Sequence, residues 1–156
     1  MPFVTNLSPT GTTLGTFSVG ANPQGVAFDG TNMWVTNSGD NNVTELSPTG
    51  TTLGTFVVGS NPQGVAIDAS GIVWVTNSSS NSVTELSHVG TTVGTFAPSG
   101  ANFNNPQGVA IDAAGNVWVP NSSGDSVAEI VGAARPVLTP LIFCLIRLSP
   151  AAFCLP

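Results

Sequence analysis

The strongest constraint on this chain is a unit that it spells three times. NPQGVAFDGTNMWVTN starts at Asn22, NPQGVAIDASGIVWVTN at Asn61 and NPQGVAIDAAGNVWVPN at Asn105. The starts lie 39 and 44 residues apart, and the longer spacing comes from APSGANFN after Phe96. Such a period belongs to arrays of one supersecondary unit, in which each copy buries its apolar face against the next.

Each unit reads as four short strands. In the middle copy they are GVAID (64–68), IVWVT (72–76), NSVTEL (81–86) and VGTFA (93–97). β-Branched and aromatic residues dominate them, and no helical periodicity competes. Between them lie turn signals. NPQG has the Asn, Pro and Gly placement of a type I turn, and DASG (68–71), DAAG (112–115) and SPTG (8–11, 47–50) follow the same logic. The second strand is apolar on both faces, Ile72-Val73-Trp74-Val75, as a strand covered from both sides should be. A four-stranded antiparallel sheet stacked between copies of itself is a propeller blade, for which about 40 residues is the usual length. The predicted fold class is therefore all-β, a β-propeller-like array of about three four-stranded antiparallel blades. Trp34, Trp74 and Trp118 recur at one blade position, flanked by apolar residues, and are expected to be buried between blades.

The pattern P-Q-G-V-A-I-D, a Gly-containing turn, V-W-V-T-N and N-S-V-T-E-L resembles the NHL repeat. It is also similar to the related propeller of the streptogramin B (virginiamycin B) lyases, over about residues 3–138. The resemblance implies a propeller and leaves the function open, because this repeat serves enzymes, protein- and RNA-binding modules and extracellular scaffolds. The lyase resemblance further implies a His and a Glu near the ring mouth acting with Mg²⁺. The corresponding V-W-V-T-N segments offer Asn37, Asn77 and Asn121, with Ser38, Ser78 and Ser122 beside them, and no general base.

Aligning the third strands places FVTNL (3–7) with NVTEL (42–46), SVTEL (82–86) and SVAEI (126–130). The expected order is a half-blade (1–21), blades at 22–60 and 61–104, and three strands at 105–131, followed by an apolar, Pro-containing, irregular tail at 132–156. Closed propellers hold about four to eight blades. Two arrangements fit. In one, a homodimer closes a six-bladed ring, the GTFSV strand of each chain completing the partner's last blade. In the other, the chain is a fragment of a six- or seven-bladed propeller, a reading that the repeated third strand favours.

Composition narrows the partners. Charged residues make up 6% of the chain, the net charge is −6, and Lys is absent. That argues against nucleic acid and anionic membrane surfaces, both of which call for basic residues. Residues 1–131 hold all eight acidic residues and no Arg or Cys; Arg135, Arg147, Cys144 and Cys154 lie beyond. Pro140, Arg147 and Pro150 break the tail's apolar run too early for a membrane span. The neutral Thr, Ser and Asn coat suggests an extracellular or periplasmic location, although MPFVTNLSPT carries no signal-peptide pattern.

No catalytic residue is assigned. His88, the single histidine, stands in the turn SHVG where Pro9 and Pro48 stand in other copies. Asp29, Asp68 and Asp112 each open a turn, and turn capping is expected of them rather than metal binding. Glu45, Glu85 and Glu129 are expected on a solvated face, and the two cysteines are expected to be inert. The remaining candidates are the six rim residues Asn37, Ser38, Asn77, Ser78, Asn121 and Ser122, whose amides and hydroxyls suit a peptide or glycan. The functional expectation is a non-catalytic scaffold or binding module without a cofactor. The alternative is a lyase-like, Mg²⁺-dependent enzyme or a fragment of one.

Overall fold

The computed structural model describes residues 1–97 and 103–136. Arg147 and both cysteines, together with the tail from residue 137 on, lie outside the described residues. Among the described residues, thirteen strands form four antiparallel sheets. The first sheet pairs β1 (Phe3–Leu7) with β2 (Thr13–Ser18). The second runs β3 (Pro23–Phe28), β4 (Met33–Asn37), β5 (Asn42–Leu46) and β6 (Thr52–Val57) in chain order. The third repeats it as β7 (Pro62–Ile67), β8 (Val73–Asn77), β9 (Ser82–Leu86) and β10 (Thr92–Phe96). The fourth holds β11 (Ala110–Ile111), β12 (Val117–Asn121) and β13 (Ser126–Ile130). The described residues thus form a half-blade, two whole blades and three strands of another. The all-β, propeller-like expectation holds.

Two apolar layers join the blades. The first sets Trp34 and Val43 of one blade against Val73, Val75 and Leu86 of the next, with Val65 and Ile67 packed beside them. The second sets Trp74 and Val83 against Val117 and Val119, with Val109 and Ile111 alongside. Each indole also stacks on a Phe from its own outer strand, Trp34 on Phe56 at 5.4 Å and Trp74 on Phe96 at 5.5 Å between centroids. Side chains alternate across a strand, so even positions of the second strand face the following blade and odd positions the preceding one.

That alternation explains a correction. Trp34 and Trp74 are buried as expected, but Trp118 is 38% exposed. Val117 and Val119 meet the preceding blade, whereas Trp118 and Pro120 face a side on which no further blade stands among the described residues. The continuous apolar run of β12 therefore has one open face.

NPQG is a second correction. It is not a type I turn. Asn22, Asn61 and Asn105 take left-handed backbone angles, φ of 54°, 57° and 56°. In the two complete blades the next residue, Pro23 or Pro62, already begins the innermost strand. Asn tolerates the left-handed region better than most residues, so it makes a one-residue corner from one blade into the next. The glycine serves another purpose. A Cβ on Gly25 would stand 2.5 Å from the Gln63 carbonyl oxygen, and one on Gly64 would stand 2.8 Å from Gly108 Cα. Inner strands meet backbone to backbone there, and a side chain would part them.

The other turns follow expectation. Gly71 and Gly115 N–H donate to the Asp68 and Asp112 carbonyls, and Gly11, Gly50 and Gly90 donate to Ser8, Ser47 and Ser87.

Candidate functional site

Antiparallel topology puts two kinds of connection at one end of the array: the corners into each inner strand, and the turns between second and third strands. The corners and turns are stitched together. Ser38, Ser78 and Ser122 N–H donate to the Asn22, Asn61 and Asn105 carbonyls, and their hydroxyls donate to the same oxygens at 3.0 Å. Adjacent blades are clipped at this end as well. Asn41 and Asn81, both left-handed, accept from the Asn61 and Asn105 N–H groups of the next blade at 2.8 Å.

The six rim candidates all take part in the hydrogen bonding of this end. Asn37 and Asn77 are fully buried, and Asn121 nearly so. The Asn37 amide donates to Asn42 Oδ1 and Thr44 Oγ1, and that of Asn77 to Ser82 Oγ and Thr84 Oγ1. The Oδ1 atoms of Asn37 and Asn77 have no partner, whereas Asn121 Oδ1 accepts from Asn104 N–H at 3.2 Å. The turn residue three places on explains the difference. Asp40 and Ser80 accept the corresponding corner N–H groups of Ala21 and Ser60, and Gly124 has no side chain to do so. Of the six, only Ser122 is exposed.

What this end presents instead is a row of glutamines. Gln24, Gln63 and Gln107 stand two residues after each corner asparagine and donate to Asn22, Asn61 and Asn105 Oδ1 at 3.1, 2.9 and 2.9 Å. Gln24 and Gln107 are exposed and Gln63 half-buried. The inner strands touch through Thr36 and Thr76, whose hydroxyls accept from Gly25 and Gly64 N–H of their own blade. The same hydroxyls donate to the Gln63 and Gln107 carbonyls of the next. The amides thus form one row across three blades at the inner edge. The signal was in the sequence, since Gln occupies the third place of every NPQG.

Two carboxylates share this end, Asp40 and Asp125, both in turns just beyond the second strands. Asp40 accepts from Ala21 N–H at 2.7 Å. No group of three His, Cys, Asp or Glu side chains suited to a metal ion occurs among the described residues.

The remaining titratable groups sit toward the other end. His88 is exposed in its turn. Asp29, Asp68 and Asp112 cap their own turns, each Oδ1 accepting two backbone N–H groups. Asp29 Oδ2 also accepts the Trp34 indole N–H at 2.7 Å, and Asp112 Oδ2 that of Trp118 at 3.0 Å. Burial pushes the Asp29 carboxyl up, but hydrogen bonds from Asn32, Trp34 and Thr31 outweigh it and the pKa falls. The Trp118 bond, with those from Asn116 and Ala114, holds Asp112 at about 2. The expected solvated face for the glutamates holds only in part. Glu129 is exposed, but Glu45 is buried and accepts from Asn32 Nδ2 at 2.7 Å, and Glu85 is half-buried beside Trp74. Burial, then the nearby Asp68 charge, raises the Glu85 pKa.

No protein-family model and no curated protein matches the chain. Solved structures do. A streptogramin B lyase superposes with a TM-score of 0.72 at 18% identity, over 85% of this chain and 46% of the lyase. A catalytically inactive virginiamycin B lyase from Staphylococcus aureus, solved with quinupristin, gives 0.74 at 13% identity over 88% and 50%. The hydrazine synthase of Kuenenia stuttgartiensis gives 0.57 at 16% identity over 77% and 38%. The chain spans about half the length of the two lyases or less. These likenesses establish the propeller-blade fold, and they join proteins of unrelated chemistry.

Proposed function

We propose that this chain is a non-catalytic β-propeller module whose glutamine-bearing end binds an uncharged, hydrogen-bonding ligand, a peptide or a glycan. The row Gln24, Gln63 and Gln107 carries the reading. Each glutamine gives one amide hydrogen to its own asparagine, which fixes the side chain's direction and leaves its carbonyl oxygen for a partner. A ligand lying across the inner edge meets the same group at successive blades, and such repetition suits a polymer with repeating amides or hydroxyls. The rim serines support this by holding the corners, and Asn37 and Asn77 by tying the second strand to the third. The Lys-free, neutral polar coat favours a location outside the cytoplasm.

Peptide and glycan arrays probed with the purified chain test the proposal. Gln63→Ala should weaken the recovered ligands by about 3–10-fold, the worth of one neutral hydrogen bond. Ligands indifferent to alanine at all three glutamines would refute it, as would arrays without a hit. A second reading, an enzyme of the streptogramin-lyase type, is favoured by the superposition on two such lyases and by Asp40 and Asp125 at the same end. Mass spectrometry of quinupristin incubated with the chain and Mg²⁺ separates the two. A linearised product would end the non-catalytic reading.

A further inference from the structure

The two flanks of the array are opposite halves of an interface that the chain already makes twice within itself. On the last blade, Trp118 and Val127 hold the positions of Trp34 and Val43, and of Trp74 and Val83. Those earlier pairs are fully buried; Val127 is mostly exposed and Trp118 partly so. On the first whole blade, Val26 and Phe28 hold the positions of Val65 and Ile67, which help to cover the Trp34 layer. Val26 is 57% and Phe28 60% exposed. They line an apolar groove of about 640 Å³, with Val4, Phe17, Met33 and Val35, beside β1 and β2, where no inner strand stands among the described residues.

We propose that a second copy docks head-to-tail on this groove, its β11–β13 sheet pairing with β2 in the half-blade's place and its Trp118 face covering Val26 and Phe28. The two arcs then close a ring of six blades about a two-fold axis, with two such interfaces. A polar feature matches. Asp125 takes the left-handed conformation of Asn41 and Asn81, φ 43°, and so stands ready to accept the partner's Asn22 N–H as they accept those of Asn61 and Asn105. One link is lost, because Pro120 replaces the threonine whose hydroxyl joins inner strands within the chain. In the ring β13 and the partner's β1 hold one position between them. β13 keeps it, as part of a three-stranded sheet, and β1, paired with β2 alone, gives way while β2 becomes the outer strand.

Sedimentation of the full chain across a dilution series should show a dimer of twice 15.7 kDa. Trp118 should become open to acrylamide quenching only on dissociation. Trp118→Glu and Phe28→Arg should each raise the dissociation constant by about 100-fold, as expected for an aromatic anchor. Unchanged circular dichroism shows that a variant has folded, and Val127→Glu replaces Trp118→Glu if that variant has not. Mixing the two variants should restore a dimer, because the unmutated Trp118 face of one copy still meets the unmutated Phe28 face of the other. A monodisperse 15.7 kDa species, open-ended polymers, or variants that stay monomeric when mixed would each overturn the proposal.

Discussion

Trp74 and Trp118 stand in nearly identical segments, IDASGIVWV and IDAAGNVWV, yet their surroundings are opposite. Trp74 is fully buried, and its indole N–H has no partner. Trp118 is partly exposed and keeps its bond to Asp112. The next blade buries Trp74, and the chain segment 132–136 takes over its polar partner. Ala134 docks on Gly115 and on the Trp74 layer, and Arg135 N–H donates to Asp68 Oδ2 at 2.8 Å. In the other blades that oxygen accepts the indole, so in the middle blade the Arg135 N–H stands where the indole N–H would. Trp34 has both, burial and a bond to Asp29. Local sequence sets the residue and its register; the neighbours set its burial and its polar partners.

Truncation gives the largest expected effect. Trp74→Ala should cost about 3–5 kcal/mol, and Trp118→Ala less than half of that in dilute solution, because a half-open site leaves little cavity behind. Replacement by Phe sharpens the contrast. Trp34→Phe strands Asp29 Oδ2 without its donor, whereas Trp74→Phe removes an orphan N–H that already carries a burial penalty of about 1–3 kcal/mol. Urea denaturation should therefore rank Trp34→Phe as clearly the worse of the two. Equal midpoints would mean that the Trp74 indole does find a partner.

The inner edge offers a smaller contrast. Thr76 joins Gly64 N–H to the Gln107 carbonyl, and Pro120 holds the same place in the last blade without a hydroxyl. Thr76→Val should cost about 1–3 kcal/mol by leaving two backbone groups unpaired. Pro120→Thr should stay within about 0.5 kcal/mol in the dilute monomer, as substitutions on open surface do. A Thr76→Val variant as stable as the parent would show that the hydroxyl is not the link between blades.

Most of the architecture was legible because strand chemistry is local. Val, Thr and Trp in short runs, with Asp-to-Gly and Ser-to-Gly turns between them, located the strands to within about two residues. NPQG misled because a type I turn and a left-handed corner call for the same residues, and only the next blade's backbone, pressed against Gly25, tells them apart. Trp118 misled because β12 carries the sequence of a covered strand. The Asn–Ser pairs read as a rim because amides and hydroxyls usually face water; here the serines bond the corner carbonyls, Asn37 and Asn77 bond to the third strand, and the glutamine three places into each unit is the more exposed amide. Asp40 and Asp125 lie beyond the strand ends, in turns whose place at this end only the fold reveals.

Acid provides the smallest effect and divides the same two blades by sign. Asp112 in the last blade titrates at about 2, first through the Trp118 indole bond and then through Asn116 and Ala114. Its folded pKa lies below the ordinary 3.8, so its contribution to stability is complete above about pH 4 and drains away as the pH falls toward about 2. Glu85 in the middle blade is raised by burial and by Asp68, so its contribution is complete below its ordinary 4.5 and is lost as the pH rises through the raised value. Mild acid should therefore favour the Trp74 blade before stronger acid costs the Trp118 blade. Trp118→Phe removes the largest cause acting on Asp112, and carbon-13 NMR of its carboxyl at low protein concentration should show the pKa moving up toward 3.8. An Asp112 that still titrates near 2 in that variant would mean that the turn amides alone hold it there, and that the indole bond distinguishing the two blades has no electrostatic consequence.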